Sequence, residues 1–180
     1  MKCDKIKKIK IITFLIYPIT AIQFFGFPLA LASESIAQDC GTNYSALVFE
    51  EKTGNIFFEK HPDKIIYPAS LTKLMTIYLS FEAIEKDKLK LEDQLFVSDR
   101  AISISKVNKN NTVHLKEEDK VSVKQAIIGS IVKSYNELTV LLAERISGSE
   151  WDFVRKMNIK ARELKMYSTN FRNSSGLHDG

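Results

Sequence analysis

Behind Lys2, Lys5, Lys7, Lys8 and Lys10 the chain turns apolar from Ile11 to Ala32, closes on Ala30-Leu31-Ala32 and becomes polar again at Ser33 and Glu34. A basic start, an apolar stretch and small residues at its end form the pattern of a secretory signal peptide, cut after Ala32 or after Ala37. Residues 1–32 are therefore expected to be an export signal and residues 33–180 the mature part. Left uncut, the stretch is long enough to span a bilayer, although Pro18, Gly26 and Pro28 interrupt it.

Beyond that segment the apolar positions come in short runs and then in helical spacing. Tyr44 to Phe49 and Ile56 to Phe58 read as two strands around Glu51-Lys52-Thr53-Gly54-Asn55, a hairpin whose loop needs the positive φ that Gly54 supplies. After Pro68-Ala69 a helix is expected to open at Ser70, with Leu71, Leu74, Met75, Tyr78 and Leu79 as its buried stripe. Residues 86–121 are polar and broken, which predicts a loop-rich insertion. Ser122 with Gln125 forms a capping box ahead of Ala126, Ile127, Ile128, Ile131 and Val132, so a second helix follows and ends near Lys133. A third takes Leu138, Leu141, Leu142 and Ile146 inward and stops at Gly148. A fourth starts after Ser149 and buries Phe153, Val154, Met157, Ala161 and Leu164.

Charge changes the picture only until it is located. Of 180 residues, 26 are basic and 22 acidic, but five lysines and one aspartate lie in residues 1–32, leaving 21 of each in the mature part. A neutral domain has no general pull toward phosphate backbones, so a nucleic-acid partner is not expected. Cys3 leaves with the signal and Cys40 stands alone, which excludes an internal disulfide; Asp39 before it does not suit lipid attachment. His61, His114 and His178 have no ligand spacing, and no metal or other cofactor is expected.

The candidate chemistry is Ser70-Leu71-Thr72-Lys73. Residues three apart share a helix face, so the Lys73 amine can reach the Ser70 hydroxyl as a general base for a nucleophile. At a helix start the serine also has a free backbone N–H where an oxyanion would form. Spelling alone proves nothing: composition predicts roughly two S-x-x-K matches, and Ser103 to Lys106 and Ser130 to Lys133 match as well. Ser70 is the one expected to open a helix. Ser134-Tyr135-Asn136, in the break between two helices, could project a hydroxyl and an amide into one cleft, although Asn136 could equally be an N-cap.

Pro68 to Thr76 resembles, almost letter for letter, the nucleophile signature of the serine D-alanyl-D-alanine carboxypeptidases among the low-molecular-mass penicillin-binding proteins, whose motif set is S-x-x-K, S-x-N and K-T-G. Similarity continues through Asp119 to Val123 and Val132 to Glu144, and then at Phe153-Val154, Met157-Asn158, Ala161, Leu164, Met166, Thr169, Phe171, Asn173 and Gly176-Leu177. The resemblance implies an α/β (α+β) chain with the penicillin-binding protein and serine β-lactamase-like transpeptidase fold, here its helix-rich N-terminal part with an incomplete antiparallel sheet. It implies that Ser70 is the nucleophile, Lys73 the general base and Ser134 the proton relay, while Asn136 binds substrate. The implied partners are a peptidoglycan pentapeptide ending in D-Ala-D-Ala and β-lactams, met in the periplasm or at the outer face of the cytoplasmic membrane. Contact with the membrane itself would come only through an uncleaved signal.

The sequence departs from that pattern in places. Lys52-Thr53-Gly54 spells the third motif but precedes the nucleophile, in the hairpin turn, and is not expected to be catalytic; no K-T-G follows Asn136 before Gly180. Lys165 stands where relatives place glycine, and Ser174-Ser175 where they place Pro-His. The competing expectations are an inactive remnant that at most binds cell-wall peptide, and a serine β-lactamase. The latter needs a deacylating glutamate in a loop, whereas Glu144, Glu150 and Glu163 fall in or beside expected helices.

Overall fold

The structure is a computed structural model that describes residues 44–107 and 112–178. The expected export signal, both cleavage points and Cys40 lie outside the described residues. The described chain forms two units, one ending at His61 and one beginning at Pro62.

The first unit is a hairpin of β1 (Ala46–Phe49) and β2 (Ile56–Lys60), antiparallel with Val48 opposite Phe58 and an irregularity between Val48 and Phe49. Its turn is the expected one: Gly54, at φ +74°, donates its N–H to the Glu50 carbonyl, and Glu50 N–H bonds the Asn55 carbonyl. Lys52-Thr53-Gly54 is therefore a turn, with the Thr53 hydroxyl bonded to the Glu50 carboxylate.

The second unit is helical around one central helix. It contains α1 (Lys73–Glu85), β3 (Gln94–Phe96), α2 (Asp99–Val107), β4 (Lys120–Ser122), α3 (Val123–Val132), α4 (Asn136–Ser147) and α5 (Glu150–Glu163). α4 is buried on every side from Asn136 to Ala143 and packs against α1, α2, α3 and α5. A helix wet on no side belongs to a core, and α4 divides this core in two. Leu138, Val140, Leu141 and Leu142 join Ile77, Leu89, Leu95 and Ile127 on one side; Ala143 joins Met75, Leu79, Phe153 and Met157 on the other.

The helix boundaries follow local chemistry. Ser122 caps α3 with the full reciprocal box to Gln125, and Ser149 caps α5 by accepting from Asp152 N–H. α4 stops at Gly148, at φ +83°. Residues 86–121 hold more structure than their polarity suggested: β3 pairs with β4 through Leu95 opposite Val121, and α2 begins beneath Ser98, whose hydroxyl accepts from Ala101 N–H. α2 buries only small groups, Ala101 and Ser105, so no apolar stripe announces it.

Three expected stripes need correction. Of the stripe expected from Ser70 onward, Leu71, Leu74 and Tyr78 are exposed, whereas on α1 Lys73, Thr76, Ile77, Ser80 and Ala83 face inward with Met75 and Leu79. The inward polar groups are satisfied, Ser80 bonding back to Thr76 O and Thr76 bonding Ser174 O, so polarity did not drive that face outward. On α3, Ala126, Ile127 and Ser130 are buried and Ile128, Ile131 and Val132 exposed. Leu164 ends α5 as an exposed C-cap residue.

Candidate active site

Ser70 does not open the α-helix itself. It lies in a 3₁₀ turn, Ala69–Thr72, that leads into α1, entered through Ala69 in the left-handed region at φ +49°. The turn's first hydrogen bond runs from Leu71 N–H to Pro68 O, so the Ser70 N–H lies ahead of it and is free to donate. Ser70 is exposed and Lys73 is 4 % exposed: the serine hydroxyl faces solvent and its lysine partner sits in the protein.

Lys73 Nζ lies 3.1 Å from Ser70 Oγ and 2.9 Å from the carbonyl oxygen of Ser175. Burial pushes the Lys73 amine down from about 10.5 to about 8, with Glu137 acting in the opposite direction. As an ammonium it donates to both oxygens. Once a proton is lost, the Ser175 carbonyl still takes an N–H, which turns the lone pair to the serine hydroxyl.

Ser134 arrives from across the core. The link between α3 and α4 places it in the left-handed region at φ +57°, with its hydroxyl donating to Ser70 Oγ at 2.9 Å. For a non-glycine residue that backbone costs roughly 1–2 kcal/mol. Asn136 begins α4 two residues after Ser134, is buried, and its side-chain amide has no hydrogen bond among the described residues. It is not the N-cap of α4, a place taken by Tyr135, so its amide is uncommitted to the backbone. Ser70, Lys73 and Ser134 thus meet in one bonded cluster, with Asn136 at the same end of α4.

The floor of the cluster is the segment Asn173 to Leu177. Asn173 Oδ1 accepts from the N–H groups of Ser175 and Gly176, and its amide nitrogen donates to Leu177 O. Ser174 is wholly buried: its N–H and hydroxyl both reach Glu150, whose other oxygen takes Arg100 Nε at 2.9 Å. Gly176, at φ +80°, lets this segment close on the nucleophile turn; a Cβ there would stand 1.8 Å from the Ala69 carbonyl oxygen. Lys165 adopts φ +61°, so the left-handed helix end expected of a glycine is formed with a lysine.

The other S-x-x-K pairs are not sites. Ser103 lies inside α2 and bonds Arg100 O, and Ser130 is buried inside α3. Among the described residues no group of three or more His, Cys, Asp or Glu side chains could hold a metal ion, and no helix is long and apolar enough to cross a membrane. Sequence reasoning missed Glu137, the Ser175 carbonyl and the Glu150–Ser174 anchor. The first was signalled by its place beside Asn136; the others depend on contacts between residues far apart in the chain.

The family model for D-alanyl-D-alanine carboxypeptidase matches residues 33–180. The chain is similar to the D-alanyl-D-alanine carboxypeptidase DacF of Bacillus subtilis, 38% identical over 133 residues, which are 74% of this chain and 33% of that protein. DacC of Escherichia coli is 31% identical over 161 residues, 88% of this chain and 40% of that one. Among solved structures, penicillin-binding protein 5 from Haemophilus influenzae superposes with a TM-score of 0.70 at 33% identity, covering 75% of this chain and 39% of that one. The ampicillin-bound form of penicillin-binding protein D2 from Listeria monocytogenes gives a TM-score of 0.63 at 28% identity, over 77% of this chain and 53% of that one. The chain spans about a third to two fifths of the length of these curated relatives.

Proposed function

The chain belongs to the D-alanyl-D-alanine carboxypeptidase family, and from that premise we propose that it acts, with Ser70 as nucleophile, on peptidoglycan stem peptides ending in D-Ala-D-Ala. Ser70 Oγ attacks the carbonyl carbon of that bond while its proton passes to the Lys73 amine. The Ser70 N–H donates to the oxyanion that forms. Ser134 gives its hydroxyl proton to the nitrogen of the departing D-alanine as the C–N bond breaks and is reprotonated by the Lys73 ammonium, which leaves an acyl ester on Ser70 and Lys73 neutral. Asn136 holds the substrate amide. Water then adds to the ester and releases the shortened peptide, and the serine recovers its proton. A β-lactam would acylate the same oxygen by ring opening. The setting is outside the cytoplasm, in the periplasm or at the outer face of the cytoplasmic membrane.

The observation that carries this reading is the convergence of two proton-handling groups on one hydroxyl, Lys73 at 3.1 Å and Ser134 at 2.9 Å. The lowered amine supports it as well: with a pKa of about 8, roughly a tenth of Lys73 is neutral at pH 7, against under a thousandth for an ordinary lysine. Labelling by fluorescent penicillin tests it. A band from the wild type that disappears in Ser70→Ala supports the reading, and a band that survives in Ser70→Ala defeats it.

A second reading, peptide binding without turnover, is favoured by one feature. The chain's Lys52-Thr53-Gly54 is a hairpin turn, so a carboxylate-binding pair and a second oxyanion donor have to come from elsewhere. One such donor is worth on the order of 10²–10³ in rate, so without it D-alanine release would be slight. Release that is readily measurable and lost in Ser70→Ala would remove the second reading.

A further inference from the structure

We infer that Glu137 is a positioning residue of the serine–lysine site: its buried carboxylate pins the 112–113 segment to the N-terminal end of α4 and serves as the counter-charge of Lys73. The mechanism above does not use this group, and the inference draws on that reading only for its effect on rate.

Glu137 follows Asn136 in the first turn of α4 and is 1 % exposed. Its Oε1 accepts from the Thr112 hydroxyl at 2.7 Å and from the Val113 N–H. Its Oε2 is buried without a hydrogen-bond partner. A buried carboxylate with one oxygen unbonded is costly unless a cation balances it. The elements around α4 leave one candidate. The 112–115 segment offers His114, α3 offers Lys124 and is followed by Lys133, and α2 offers Lys106, all exposed; Arg100 of α2 bonds Glu150 of α5, while on α5 Arg155 bonds Asp152, Lys160 bonds Glu82 and Glu163, Arg162 bonds the Met166 carbonyl and Lys156 is exposed; Asp93, beside β3, bonds Arg145 near the far end of α4. Segment 173–177 has no charged group. That leaves Lys73 on α1, which is buried as Glu137 is and whose ammonium form Glu137 favours. Glu137 therefore limits how far burial lowers the base, and it does so from a position fixed by the 112–113 clamp.

Two substitutions separate the roles. Glu137→Gln removes the charge and keeps an acceptor for Thr112 and Val113; Glu137→Ala removes both. The readouts are the titration of Lys73 in ¹³Cε lysine spectra of the full chain, its signal identified by its loss in Lys73→Arg, and the rate of tryptic cleavage after Lys116. In Glu137→Gln the Lys73 midpoint is expected to fall below its wild-type position by about one pH unit, the low end for a close opposite charge, with cleavage unchanged. In Glu137→Ala cleavage should also quicken. A Lys73 midpoint that stays in place in Glu137→Gln overturns the inference, and if Glu137→Ala fails to fold Glu137→Gln decides alone. Penicillin labelling should gain at low pH in Glu137→Gln. No labelling of any form, wild type included, counts against the proposed function, and the titration still decides the role of Glu137.

Discussion

The start of α1 and the end of α3 spell the same motif and build opposite things. At the first, the serine is exposed and the lysine buried; at the second, Ser130 is 1 % exposed and Lys133 lies in solvent. Ser70 receives the Ser134 hydroxyl and lies beside the Lys73 amine, while Ser130 Oγ has no partner. A nucleophile must meet its substrate, and an ammonium gives up its proton readily only when water is kept away from it. In the proposed reading S-x-x-K serves chemistry in one order of burial and packing in the other.

The comparison breaks most sharply by deletion. Ser70→Ala is expected to abolish penicillin labelling and Ser130→Ala to leave it, read as band intensity on a gel. Next comes the base: Lys73→Ala should slow labelling by on the order of 10²–10⁴, the usual contribution of a positioned proton acceptor, whereas Lys133→Ala should not change the rate. The labelling rate of the wild type should climb with pH through about 8, where Lys73 loses its proton.

Stability gives a further contrast. Lys73 has a folded pKa below its unfolded one, so between about 8 and 10.5 the unfolded chain holds a proton that the folded chain does not. Its contribution therefore rises with pH across that window, and below it the buried charge opposes folding in full. Denaturant unfolding should show the wild type gaining stability relative to Lys73→Met as pH rises from 8 to 10.5.

Glycines near the two serines should also part company. Gly176→Ala drives a Cβ into the Ala69 backbone at a positive φ, and should cost about 2 kcal/mol or more together with loss of labelling. In Gly129→Ala the clash is with the Leu138 Cδ1 end of a side chain, so the loss should be smaller. The smallest effect belongs to Ser130→Ala, which removes an unsatisfied buried hydroxyl and should leave stability level or raise it by up to about 1 kcal/mol.

What could be read from the chain beforehand was what neighbours settle among themselves. The Ser122–Gln125 box, the Gly54 turn and the Gly148 stop each depend on a few adjacent residues, and each was legible. Ser70 with Lys73 was legible for the same reason, since three residues of helix join them. Ser134 reaches Ser70 across 64 positions, and its role came from family resemblance rather than spacing. The inward face of α1 was misread because Thr76 and Ser80 look like a surface until Ser174 O and Thr76 O are there to accept their hydroxyls. Glu137 had only its place beside Asn136 to mark it, and the Ser175 carbonyl had no signal, because burial and partnership are properties of the packed molecule.

The left-handed backbone at Ser134 has a consequence for anyone selecting robust variants. Glycine takes that conformation at no steric cost, so Ser134→Gly should relieve strain while deleting the hydroxyl that touches Ser70. Heat or protease selection applied without a functional screen would then enrich disabled molecules at this position. Survival and usefulness pull apart at a single residue, and a library at Ser134 would have to be sorted for both.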